Sequence, residues 1–271
     1  MDDFTLNDGR TMPRLGLGTY QIPDSQVAAV VRHGLDLGYR LVDTAALYHN
    51  ERGVGEGLGD DASGEGGAFV TTKLWNDRHG DAGAALEESL ALLGLDAVDL
   101  YLIHWPAPGQ DRYLRAWQTL VELRGRGLAR SIGVSNFEPE HLDRIIDATG
   151  VTPAVNQIEL HPRLQQRALR DYHRERGIVT QSWSPLGQGG DLLRDPAIGR
   201  VAERHGATPA QAVIAWHLHH GLSVIPKSAD PGRLAENFGA LDLRLDEEDL
   251  AAIDALDAAD GRIGPHPRDL D

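Results

Sequence analysis

The chain has 271 residues, 41% of them hydrophobic and 25% charged, enough for one large core and ordinary for a soluble globular enzyme. A net charge of −15 repels a phosphate backbone, which argues against nucleic acid as a partner, although a local basic cluster can still take one anionic ligand. There is no cysteine, hence no disulfide scaffold or thiol nucleophile; no run nears the ~20 apolar residues of a membrane span, and Met1-Asp-Asp-Phe-Thr5 lacks the basic and apolar regions of a signal peptide. A cytoplasmic protein with no membrane partner is expected.

In chain order, Phe4 to Pro13 reads as a hairpin, with Asp8-Gly9 suited to a type I′ turn. Strand-like and helix-like patterns then alternate. The expected strands are Leu15 to Gly18, Tyr39 to Asp43, Ala68 to Lys73, Val98 to His104, Ser131 to Ser135, Ala154 to Leu160, Val179 to Ser184 and Leu222 to Pro226. Between them, Asp24 to Gly38, Ala84 to Leu93, Tyr113 to Leu123 and Pro139 to Ala148 carry apolar residues at helical spacing. Thr208-Pro209 opens a further helix, with proline in a first turn where its missing N–H costs nothing. Gly-rich Gly59 to Gly67 is expected to be a flexible loop on the far face, and Pro265-His-Pro267 an irregular tail. Eight strands each followed by a helix is the count of a (β/α)₈ TIM barrel over residues 1–271, α/β in class. A doubly wound open sheet is the alternative, weakened because no Gly-x-Gly-x-x-Gly follows the first strand.

Four polar residues fall at one end of this arrangement. Asp43 ends the run Leu41-Val42, Tyr48 follows on a short connection, Lys73 lies 25 residues past Tyr48, and His104 lies 31 past Lys73. One β/α unit per gap sends all four out of the C-terminal end of a parallel barrel, where active sites lie. A phenol titrates near ~10 and is a poor acid at neutral pH; an ammonium beside it favours phenolate and pulls that value down. Lys73 can do this with Asp43 as its anchor, leaving His104 to orient a carbonyl. Each residue also has a structural reading: Asp43 as a helix cap, Tyr48 as a packed aromatic, Lys73 as a solvated strand end, His104 as a packed loop residue.

The strings Asp43-Thr-Ala-Ala-Leu-Tyr48-His-Asn-Glu51, Thr72-Lys73-Leu-Trp75-Asn, Asp99-Leu-Tyr-Leu-Ile-His104-Trp-Pro, Gly133-Val-Ser-Asn136-Phe, Asn156-Gln157-Ile-Glu-Leu-His-Pro162 and Ile225-Pro226-Lys227-Ser228 resemble those of the aldo-keto reductases, in order and spacing. Within that family the chain is most similar to bacterial 2,5-diketo-D-gluconate reductases, through Lys73 to His79, Ser182-Trp-Ser-Pro-Leu-Gly-Gln188 and Gly261-Arg-Ile-Gly-Pro-His-Pro267. The resemblance implies an NADPH-dependent reductase of aldehydes and ketones, with Tyr48 as proton donor, Lys73 and Asp43 as its tuners and His104 as substrate orienter. It implies that Ser135, Asn136 and Gln157 bind the nicotinamide carboxamide and that Trp183 stacks on the ring. Ser184, Leu186 and Gly187 would line the pyrophosphate. Lys227, Ser228 and Arg233 would take the 2′-phosphate, with Glu236 and Asn237 in the same adenosine-binding segment. Asp230 stands where close relatives often carry a second arginine, so NADPH is expected to be preferred by a smaller margin, with NADH a weaker alternative.

Tyr20, Trp75 and Trp105, each just past a strand, are expected to wall a substrate pocket with His104. A short segment after His104 and a short tail imply an open rim, suited to 2-keto aldehydes, diketones and keto sugars. A monomer without a metal is expected. A cofactor-bound regulatory subunit is a rival reading, disfavoured by the intact tetrad. A metal-dependent barrel hydrolase is another, disfavoured by the lack of a ligand set such as His-Glu-x-x-His.

Overall fold

A computed structural model describes residues 3–62 and 67–271. A small antiparallel pair, β1 (Phe4–Thr5) and β2 (Thr11–Met12), precedes an eight-stranded parallel sheet. Its strands in spatial order are the sequential β3 (Leu17–Gly18), β4 (Leu41–Asp43), β5 (Phe69–Leu74), β6 (Val98–Ile103), β7 (Ala129–Ser135), β8 (Val155–Glu159), β9 (Val179–Trp183) and β10 (Ser223–Val224). Parallel bridges Leu15↔Val224 and Gly18↔Lys227 join the last strand to the first, closing the barrel. The expected (β/α)₈ fold is therefore present.

Helices α1 (Asp24–Leu37), α2 (Glu51–Leu58), α3 (Ala82–Leu93), α4 (Tyr113–Gly125), α5 (Pro139–Thr149) and α6 (Arg167–Glu175) follow β3 to β8 one by one. Two helices, α7 (Pro196–Arg204) and α8 (Pro209–His219), follow β9, and α9 (Pro231–Gly239) and α10 (Glu247–Asp254) follow β10. The start of α8 is a reciprocal capping box between Thr208 and Gln211 behind the proline. The expected loop Gly59 to Gly67 begins with a 3₁₀ turn over Gly59–Ala62; residues 63–66 lie outside the described residues.

The hairpin differs from expectation. Asp8 is not left-handed; Gly9 alone is, at φ 87°, and its N–H donates to the Leu6 carbonyl while Leu6 N–H donates to Arg10. Three residues, Asn7 to Gly9, lie between the bonded Leu6 and Arg10, as in a type I turn closed by a glycine bulge.

Strand side chains alternate between faces, and that period of two decides where the chemistry lies. Leu41, Phe69, Leu100, Leu102, Val155 and Ile225 form a buried cluster with Leu6 and Met12 of the hairpin, which plugs the barrel floor. Continuing each strand by two residues on the same face leads from Leu41 to Asp43, from Leu102 to His104, from Val155 to Gln157 and Glu159, and from Val179 to Gln181 and Trp183. Gly16 leaves room for this cluster, because a Cβ there would run into the Leu41 side chain and force it to shift. Opposite faces carry the helix-packing residues, among them Leu17, Val70, Tyr101 and Val134. Each such fully buried side chain stabilises the fold by roughly 1.5–3 kcal/mol.

Candidate active site

At the C-terminal end of the strands, the Lys73 ammonium is buried and donates to Asp43 Oδ1 at 2.6 Å and to the Thr44 carbonyl at 2.8 Å. It also lies 3.4 Å from the Tyr48 hydroxyl. Asp43 Oδ2 accepts from Gln157 Nε2 at 2.7 Å. With both oxygens accepting, Asp43 works as the carboxylate that compensates Lys73. Burial pushes the Asp43 carboxyl up and the Lys73 ammonium down, and each partner opposes the other's shift. The readings of Asp43 as a helix cap and Lys73 as a solvated strand end are not what the fold contains.

Tyr48 closes a 3₁₀ turn over Ala46–Tyr48, with His49 left-handed behind it. Two buried anchors hold that connection. Asn50 accepts from Thr44 Oγ1 at 2.8 Å and donates to the Thr19 and Ile22 carbonyls, and Glu51 accepts from Thr72 Oγ1 at 2.6 Å. Burial, then the Asp43 charge and Tyr20, push the Tyr48 phenol well above its ordinary value. This direction is opposite to the expected lysine-lowered phenol: desolvation leads, and the phenol is held protonated.

His104 stands edge-on to the Tyr48 ring at 5.8 Å and to Trp75 at 5.1 Å. Burial, with Lys73 adding to it, holds its imidazole well below the usual pKa and hence neutral. Its carbonyl accepts from Asn136 Nδ2 at 3.0 Å, tying it to β7.

These groups open into a cavity of about 1300 Å³. Among the expected site residues, Lys73, Ser135 and Gly187 stand behind its wall; the others line it. Ser135 Oγ donates to the Gln157 carbonyl at 2.7 Å and accepts from Asn136 Nδ2 at 3.0 Å, so it braces neighbours instead of facing a ligand. Asn136 Oδ1 accepts from Trp183 Nε1 at 2.8 Å. Asn136 and Ser184 both have left-handed backbone, at φ 62° and 51°, an uncommon conformation for residues other than glycine and one that clusters at functional sites.

At the far end lie Lys227, Ser228 and Arg233, and Asp230 beside them caps α9, its Oδ1 accepting from Arg233 N–H at 2.8 Å. The cavity therefore runs from the Tyr48 hydroxyl to basic side chains beside α9 that can take an anionic group. Glu236 accepts from Thr208 Oγ1 at 2.6 Å, fastening α9 to the start of α8.

Sequence reasoning missed the contribution of the C-terminal tail. Ile263, Gly264, Pro265 and Leu270 line the cavity, so the rim is more closed than its length implied. Ile263 and Gly264 N–H donate to the buried Glu159 carboxylate, Arg268 pairs with Glu140 at 2.9 Å, and Asp271 accepts from Gly109 N–H at 2.7 Å. The period of two along Val155 to Glu159 was the signal that could have found Glu159.

The sequence profile described as the Aldo/keto reductase family matches residues 14–258. The chain belongs to the aldo/keto reductase family. It is an oxidoreductase. It is 51% identical over 263 residues to methylglyoxal reductase DkgA of Escherichia coli K12, covering 97% of this chain and 95% of that protein. It is 53% identical over the same shares to the methylglyoxal reductase DkgA of Yersinia pestis. Among solved structures, the reductase superimposes on Gox0644 in its apo form with a TM-score of 0.94 at 54% identity, covering 98% of this chain and 97% of the other. It superimposes on a mutant of Gox0644 in complex with NADPH with a TM-score of 0.95 at 52% identity, over 99% and 98% of the two chains. No helix among the described residues is long and apolar enough to cross a membrane.

Proposed function

We propose that this reductase is NADPH-dependent and reduces small 2-keto aldehydes, diketones and keto sugars, with Tyr48 donating the proton. The observation that carries this reading is the Lys73 ammonium, 2.6 Å from Asp43 and 3.4 Å from Tyr48, beneath a cavity lined by a neutral His104.

The residues present fit the cofactor. Asn136 spends both amide hydrogens on His104 and Ser135, and Gln157 spends both on Asp43 and Gln181. Each side chain therefore has only its oxygen left for a ligand, that of Asn136 through the lone pair not taken by Trp183 Nε1, and two acceptors suit the N–H₂ of a carboxamide. Trp183 would flank the ring, Ser184 and Leu186 the pyrophosphate, and Lys227, Ser228 and Arg233 the 2′-phosphate through charge-assisted bonds. When bound, the cofactor supplies a hydride to the carbonyl carbon.

His104, held neutral, hydrogen-bonds the carbonyl oxygen and sets it near the phenol. As negative charge grows on that oxygen, Tyr48 Oη gives up its proton. The phenolate left behind is stabilised by the Lys73 ammonium, which Asp43 and the Thr44 carbonyl hold in place before the reaction begins. Lysine thus acts on the product of proton transfer and does not pre-ionise the acid.

Tyr20, Trp75, Trp105 and Ile263 give the substrate end apolar walls. Two relatives named as methylglyoxal reductases favour a 2-oxo aldehyde among the candidate substrates. Oxidation of NADPH measured against a panel of aldehydes, diketones and keto sugars tests this. Turnover of 2-oxo aldehydes and diketones is expected, and a failure of every carbonyl on the panel would overturn the reading.

A further inference from the structure

We propose that Gln181 and Ser223 are positioning residues that set the direction of the Gln157 amide, and through it the nicotinamide site; this rests on the cofactor reading of Gln157 given above. Asp43, Gln157, Gln181 and Ser223 form one buried chain across β4, β8, β9 and β10, none more than 2% exposed. Gln157 Nε2 donates to Asp43 Oδ2 and to Gln181 Oε1, both at 2.7 Å, and Gln181 Nε2 donates to Ser223 Oγ at 3.0 Å.

The order of donors along this chain follows from chemistry. An ionised carboxylate only accepts, so the end of Gln157 that meets Asp43 is its NH₂. That leaves the amide oxygen for the cavity. The second hydrogen on the same nitrogen needs a buried acceptor, so Gln181 must present its oxygen and send its own NH₂ onward to the Ser223 hydroxyl. The Asp43 charge alone can hold one hydrogen of Gln157; Gln181 holds the other. Without it, a buried N–H is left unpaired, and rotation of the Gln157 side chain would relieve that cost while turning N–H toward the incoming carboxamide N–H₂. Neither Gln181 nor Ser223 lines the cavity, so any effect they have on a nicotinamide passes through Gln157.

The test compares dissociation constants for NADPH and for 2′,5′-ADP, which carries the 2′-phosphate but no nicotinamide, in wild type, Gln181→Met, Gln181→Glu, Ser223→Ala and Gln157→Met. Gln181→Met keeps the volume but no acceptor and is expected to weaken NADPH by about tenfold with 2′,5′-ADP unchanged. Gln181→Glu keeps an acceptor for Gln157 and is expected to hold NADPH affinity within about threefold of wild type. Ser223→Ala, which carries the test if Gln181→Met does not fold, is expected to lose about threefold on NADPH alone. Equal losses for both ligands, or no loss for NADPH, would overturn the inference. If Gln157→Met lowers NADPH selectively while Gln181→Met and Ser223→Ala do not, the cofactor reading stands and this inference falls. If Gln157→Met also leaves the two ligands in their wild-type ratio, the reading of Gln157 itself fails.

Discussion

The Gly264 backbone N–H donates to the Glu159 carboxylate at 2.8 Å, and Ile263 N–H donates to its other oxygen at 2.6 Å. One buried side chain at the end of β8 thus fastens the tail that walls the cavity. Gly264 lies close against Trp183, where a Cβ would come within 2.6 Å of the indole. Glu159→Ala is expected to free the tail and raise KM for the carbonyl several-fold, with a smaller change in kcat. Steady-state kinetics would check this, alongside faster proteolysis of the C-terminus. The hydrogen bonds from His161, Ile263 and Gly264 outweigh burial and hold the Glu159 carboxyl below its usual value. Its contribution is therefore full above the unfolded pKa of about 4.3 and is lost as pH falls through the folded value, so tail release is expected on acidification.

His173 is a second pH-dependent group, remote from the chemistry. Its Nε2 lies 2.9 Å from the Asn156 amide nitrogen and its Nδ1 2.9 Å from Thr180 Oγ1, so the neutral ring accepts from Asn156 and donates to Thr180. Burial lowers its pKa to about 3. A depressed value means stability is complete above the unfolded pKa near 6.5 and declines as pH falls toward 3. Tm measured against pH is expected to fall below about 6.5 in wild type and to fall less steeply in His173→Gln.

The barrel and its tetrad were legible because both rest on spacing: strand ends recur once per β/α unit, and Asp43, Lys73 and His104 each extend an inward-facing apolar run. The direction of the Tyr48 shift was not legible, since sequence shows that a charge is near but not how much water is removed around a phenol. The hairpin turn was misread for a local reason: an Asp-Gly pair also fits a three-residue connection in which only Gly9 is left-handed. The bracing role of Ser135, the Gln157–Gln181–Ser223 chain and the Glu159 latch depend on partners more than 20 residues apart in sequence, which no local pattern reports.

Asp230 caps α9 with its carboxylate beside the proposed phosphate-binding Lys227, Ser228 and Arg233. Replacing it is expected to trade a helix cap worth about 1 kcal/mol for a stronger hold on the 2′-phosphate. Asp230→Arg should raise the ratio of kcat/KM for NADPH over NADH by about tenfold. An unchanged ratio would place the 2′-phosphate elsewhere.

Burial holds His104 neutral and Tyr48 protonated, so neither changes state near neutral pH. For carbonyl reduction, kcat is expected to be flat between about pH 6 and pH 9. A limb near 6.5 in that profile would mean that His104 titrates and works as an imidazolium.

The central claim is that Tyr48 gives the proton. In Tyr48→Phe the ring and its packing against Tyr20 and His104 are kept, and only the hydroxyl facing Lys73 is removed. With NADPH and methylglyoxal, the single-turnover rate is expected to fall about 10³-fold while the Kd for NADPH stays within about twofold of wild type. A rate within tenfold of wild type would contradict the assignment.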